Sequence, residues 1–167
     1  MECEPERFQM QGSTATGWYM DSGPVTKERY LHQAQFALFG CQMVEEALKS
    51  FLMYARDINR FSSCEFIQID KSDEELDETP LGGLIVLFRK VLPNSQLNSR
   101  LETLRPERNH CAHRALVLCF MSDVCINVSL DAEFERMQKT RELAWSCVED
   151  LKPALTAAES RFEALRG

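Results

Sequence analysis

Residues 31–55 read LHQAQFALFGCQMVEEALKSFLMYA. Leu31, Ala34, Leu38, Cys41, Glu45, Leu48, Leu52 and Ala55 follow one another at steps of three and four, which places them on one helical face. The stripe predicts a single amphipathic helix from Thr26 to about Arg60. Glu45 alone interrupts its apolar character. A carboxylate buried without a partner is costly, so Glu45 must be hydrogen-bonded, turned to a cleft, or paired with an internal arginine such as Arg108.

Downstream the pattern stays helical. Thr79-Pro80 reads as an N-cap followed by a first-turn proline. The segment from Leu81 to Leu92 is apolar enough to be largely buried, and Pro93-Asn94-Ser95 ends it. A short helix over about 96–104 follows, and Pro106 is expected to open another that runs to about Met121. Val124, Ile126, Val128 and Leu130 alternate with polar or small residues, but one short strand cannot stand alone, so an extended connection is expected there. Asp131 reads as the cap of a last long helix, with Phe134, Met137, Ala144, Trp145, Val148 and Leu151 as its apolar side. Pro153 is expected to kink or split it, and a final piece reaches about Leu165. Together these elements predict an all-α bundle of four to five helices.

Upstream, residues 1–24 are rich in Gly, Ser and Thr and lack a helical period. They read as a flexible arm preceding a helical domain over 25–167. Trp18-Tyr19-Met20 is an apolar patch within that arm, expected to lie on the domain or on a second subunit.

Composition sets the outer bounds. The chain has 167 residues, a formal charge of −7 and 44% hydrophobic residues, which suits one domain with a real core. No apolar run approaches the ~18 residues of a membrane span, and no leader-like apolar core follows the charged start. A soluble, cytoplasmic protein without membrane association is expected. Seven cysteines at wide spacing, with no Cys-x-x-Cys pair, argue against a disulfide framework and against a structural zinc site. No cofactor or metal is expected.

The net charge conceals segregation. Residues 65–78 hold seven acids and one base, and read as a solvated acidic connection. Residues 79–114 hold six bases and two acids. An acidic protein is a poor general binder of nucleic acid, which leaves a local basic site.

That basic segment ends in Glu107-Arg108-Asn109-His110-Cys111-Ala112-His113-Arg114, with two of the three histidines. Asn109 and His113 are four apart and share a face on a regular helix. His110 points away from that face and reads as peripheral. With this composition, Arg-Asn-x-x-x-His is expected by chance roughly 0.007 times in the chain, so the match is moderately specific.

Arg108-Asn109-x-x-x-His113 resembles the signature of the HEPN superfamily, small all-helical domains that include many metal-independent ribonucleases. Val44-Glu45-Glu46-Ala47-Leu48-Lys49 is similar to the family's acidic first-helix segment. Thr79-Pro80-Leu81-Gly82-Gly83-Leu84-Ile85 is similar to the segment that often precedes the signature. The resemblance spans most of residues 26–165. It implies a HEPN-like bundle, a homodimer in which two signatures meet in one cleft, and endonucleolytic cleavage of RNA, tRNA or mRNA for example. It also implies a toxin or phage-defence role, with an antitoxin or a nucleotidyltransferase-like protein as partner. In one branch of the family that partner modifies a tyrosine two residues after the histidine. Here the position is Ala115, a departure from that branch.

The residue types suit the chemistry on their own terms. RNA breaks without metal when its 2′-hydroxyl attacks the neighbouring phosphorus, given a proton acceptor, a proton donor and cationic hydrogen-bond donors. His113 titrates near neutrality and can move protons. Arg108 offers a planar fork to phosphate oxygens. Asn109 can orient the imidazole or the phosphate, and Glu45 can orient Arg108 or His113. The small Cys111, Ala112 and Ala115 suggest that two such helices approach closely at a two-fold axis. The alternative is a HEPN-like module that binds nucleotide or protein without catalysis. A plain helical interaction protein with a coincidental signature is the third reading.

Overall fold

The computed structural model describes residues 24–62, 69–93, 96–115, 117–118 and 130–167. Among these the chain is all-helical. Helix α1 spans Lys27–Ser62, α2 Asp73–Asp77, α3 Leu81–Val91, α4 Gln96–His110 and α5 Leu130–Arg166, and a π-helical turn, Cys111–Ala115, continues α4. The arm, apart from Pro24, and the extended connection at 124–129 lie outside the described residues.

Helix α1 is 36 residues long, about 54 Å at 1.5 Å per residue. Helix α5 runs parallel to it. Arg141 Nη1 donates to Gln33 Oε1 at 3.1 Å near one end, and Tyr54 Oη donates to Glu159 Oε1 at 3.2 Å near the other. Between them Gly40 faces α5, where an added Cβ would come 3.0 Å from that of Ala144. Helix α4 lies antiparallel to both. Arg100 reaches Ser146 and Asp150 on α5, Glu107 reaches Arg136 and Arg108 reaches Glu45 on α1.

The predicted stripe of α1 does the burying. Cys41, Leu48 and Leu52 are fully buried and Ala34 nearly so. The core has two parts. One joins Cys41, Val44, Leu48, Phe51 and Leu52 to α3, α4 and the middle of α5. The other joins Tyr30, Ala34 and Ala37 to Cys111, Ala115 and Met137. A fully buried Leu such as Leu48 contributes roughly 1.5–3 kcal/mol through area removed from water.

Several local expectations need correction. Thr79 does not cap α3. Pro80 holds the cap position with no side-chain hydrogen bond, because the Thr79 hydroxyl donates back to the Glu75 carbonyl and accepts from Lys71 Nζ at 2.8 Å. Pro106 does not open a helix but lies inside α4, so 96–110 is one element. Asp131 sits in the first turn of α5 rather than at its cap. Pro153 does not split α5, which continues through it to Arg166.

The acidic connection is more than solvated chain. Ser72 and Glu75 form a reciprocal capping box that starts α2, and Leu76 is fully buried. Asp73 pairs with Arg56 at 2.7 Å. Arg56 is itself buried and further held by Asp57 and by the Lys71 carbonyl. Part of the acidic run thus neutralises a cation that α1 carries inward.

Candidate active site at the end of helix α4

The signature straddles two kinds of helix. Arg108 and Asn109 close α4, and His113 belongs to the π-helical turn. Such turns are rare and occur often at functional sites. The turn directs both Cys111 and Ala115 inward, against Tyr30, Ala34, Ala37 and Met137. These two small residues therefore serve contact within the subunit, not close approach between subunits.

Arg108 Nε donates to Glu45 Oε1 at 2.7 Å. The Glu45 side chain is 14% exposed and that of Arg108 29%, so the pair is held at the edge of the core rather than in open solvent. A short charge-assisted bond of this kind fixes the plane of the guanidinium. Among the described residues only Nε is engaged, and neither terminal nitrogen of Arg108 makes a bond.

Asn109 and His113 are exposed. Among the described residues, neither forms a hydrogen bond or ion pair. The structure thus brings Glu45 and Arg108 into contact. Among the described residues, no hydrogen bond or ion pair joins Asn109 or His113 to either. Arg114 is likewise exposed and, among the described residues, has no acidic partner.

Two further contacts anchor the segment to α5. His110 Nε2 lies 2.7 Å from Glu133 Oε2, with side chains only 9% and 12% exposed. Glu107 accepts two bonds from Arg136, at 2.7 and 3.1 Å, and a longer one from the Thr140 hydroxyl. The Arg136 bond holds the Glu107 carboxyl below its usual range, and the same bond raises Arg136. Sequence reasoning missed both contacts. Their trace is nonetheless present: Glu107 and His110 are three apart, as are Glu133 and Arg136, and antiparallel helices set the two pairs face to face.

The cysteines near the site are poor nucleophiles. Burial pushes the Cys41 thiol up to about 12 and the Cys111 thiol up to about 11, far from the thiolate that reaction requires. Cys111 donates to Met137 Sδ at 3.4 Å, as a small core residue does.

No family model matches the chain, and no curated protein or solved structure matches it either.

Proposed function

We propose that the chain is a HEPN-type endoribonuclease that cleaves RNA through the 2′-hydroxyl of the substrate and needs no metal. The observation that carries this reading is Arg108. A carboxylate from α1 orients its guanidinium through Nε and leaves two terminal nitrogens for phosphate, one residue from Asn109 and five from the exposed His113. Arg108 stabilises charge on the phosphorane, His113 transfers a proton, and Asn109 orients either. Because Glu45 reaches only the arginine among these, its role is to position Arg108. One subunit supplies one suitable imidazole, since His110 is occupied by Glu133. A homodimer supplies two, one for each proton role. An activity of this kind suits a toxin or phage-defence component restrained by an antitoxin partner.

The test is cleavage of RNA in the presence of a chelator, comparing the parent with His113→Ala. The expected products carry a cyclic phosphate, and the variant is slower by about 10²–10⁴-fold. If the parent binds RNA or nucleotide without cutting it, the non-catalytic module takes its place.

A further inference from the structure

Helix α4 carries three arginines, and acids match two of them. Arg100 pairs with Asp150 on α5 and Arg108 with Glu45 on α1. The acids of α4 itself are taken as well: Glu102 pairs with Arg89 on α3 and Glu107 with Arg136 on α5. Arg105 remains. It is exposed, and among the described residues it forms no ion pair or hydrogen bond. Its guanidinium is thus a surplus cation beside the signature, in a chain whose net charge is −7.

The packing of α3 sets where that cation lies. Arg89 meets Glu102 and Gly82 meets Arg105, so α3 runs antiparallel to α4 and its first turn reaches Arg105. A Cβ on Gly82 would come 2.8 Å from Arg105 Nε and 3.0 Å from its Cζ. The guanidinium therefore rests on bare α3 backbone, in space that any other residue at 82 would fill. Arg105 precedes Arg108 by three residues and Asn109 by four. Positions so spaced are neighbours on a helix, about 5–6 Å apart between Cβ atoms, close to the spacing of successive phosphates along a nucleic-acid strand. Asn109 and His113, which come next along the segment, are exposed too.

We propose that Arg105 binds the backbone phosphate next to the one held by Arg108, and that Gly82 positions it there. The proposal rests on the ribonuclease reading for the identity of that first phosphate. It adds a requirement: the substrate is a strand engaged at two successive phosphates, not a single phosphodiester. Arg105 supplies charge-assisted hydrogen bonds and releases counterions from the strand. Its guanidinium stays charged, so it moves no proton. Arg105 acts on substrate binding, where Arg108 and His113 act on the reaction.

The test uses a deoxyribose strand that holds one ribonucleotide, so that one bond alone can be cut, with a chelator present. The phosphate on the 5′ or the 3′ side of that bond is replaced by an uncharged methylphosphonate. One of the two replacements is expected to lower kcat/KM of the parent about tenfold, and to lower that of Arg105→Gln no further, since the contact is already gone. Arg105→Gln should itself raise KM about tenfold and alter kcat less than about twofold. Arg105→Lys should regain part of the loss, as a point charge without the fork. Gly82→Ala should raise KM in the same direction while melting no lower than the parent, because alanine favours a helix and the atoms that must move belong to the Arg105 side chain. A Gly82→Ala protein with the parent's KM overturns the positioning role. A parent indifferent to both replacements, or an Arg105→Gln protein slowed by them as much as the parent, overturns the proposal and leaves the ribonuclease reading standing. A parent that cuts nothing removes that reading, and the contact is then read from binding of an all-deoxyribose strand. There Arg105→Gln should reduce the slope of log affinity against log salt by about 0.7, and an unaltered slope overturns the proposal as well.

Discussion

The residues of the signature differ in what holds them, and their substitutions should separate accordingly. His113 is exposed and, among the described residues, makes no bond, so His113→Ala should leave stability within about 0.5 kcal/mol of the parent while removing cleavage. Arg108→Ala should also abolish cleavage but strands the Glu45 carboxylate, at a cost of about 1–3 kcal/mol. Adding Glu45→Gln to it should recover stability in a denaturant titration without recovering activity, which separates the need for the Arg108 guanidinium from the cost of the stranded carboxylate. His110→Ala presents the reverse case. It leaves Glu133, 12% exposed, without its partner, so about 1–3 kcal/mol of stability should be lost with a much smaller effect on cleavage than that of His113→Ala. Equal losses of activity in the two histidine variants would contradict this division of roles.

Among the elements, the long helices were legible because their apolar period persists over many turns. The stripe from Leu31 to Ala55 predicted α1 within one or two residues at either end. Its outer face was harder to read, since Phe36, Phe39 and Met43 differ in no local way from core residues. The prolines misled for a related reason. Local rules place Pro106 at a helix start and treat Pro153 as a break, yet packing of α4 and α5 along α1 carries both helices through. The Ser72–Glu75 capping box was visible as a motif but masked by the surrounding acidic run. One glycine gives the α1–α5 pairing a direct test. Gly40 lies where a Cβ would meet that of Ala144 at 3.0 Å, so Gly40→Val should force the helices apart and cost about 1–3 kcal/mol by thermal unfolding. A variant as stable as the parent would show that the crossing can widen freely.

At the scale of the whole molecule, polar contacts to both long helices fasten the end of α4: Arg108 to Glu45 on α1, and Glu107 and His110 to Arg136 and Glu133 on α5. The Arg108–Glu45 pair could be anticipated, because an acid on an apolar stripe demands a cation and the signature offers one. The other two depend on which helix lies beside α4 and in which direction, information that a local pattern does not hold. These contacts tie the site to the fold, and the lowered titration of Glu107 makes the tie dependent on pH. Arg136 holds Glu107 below its ordinary value of 4.5, so the folded protein binds that proton less readily than the unfolded chain. The stabilisation is therefore fully present above about pH 4.5 and is lost as pH falls from there through the lowered folded value. Glu107→Gln removes this contribution. At pH 7 it should lower stability by about 1 kcal/mol, since Arg136 is 40% exposed and solvent weakens the pair. Below pH 4.5 the difference between parent and variant should shrink, because protonation has by then released the parent's own pair. Thermal unfolding of both proteins from pH 7 to pH 3 measures this, and a difference that persists undiminished at the acid end would mean that the Glu107–Arg136 contact is not what binds the signature segment to α5.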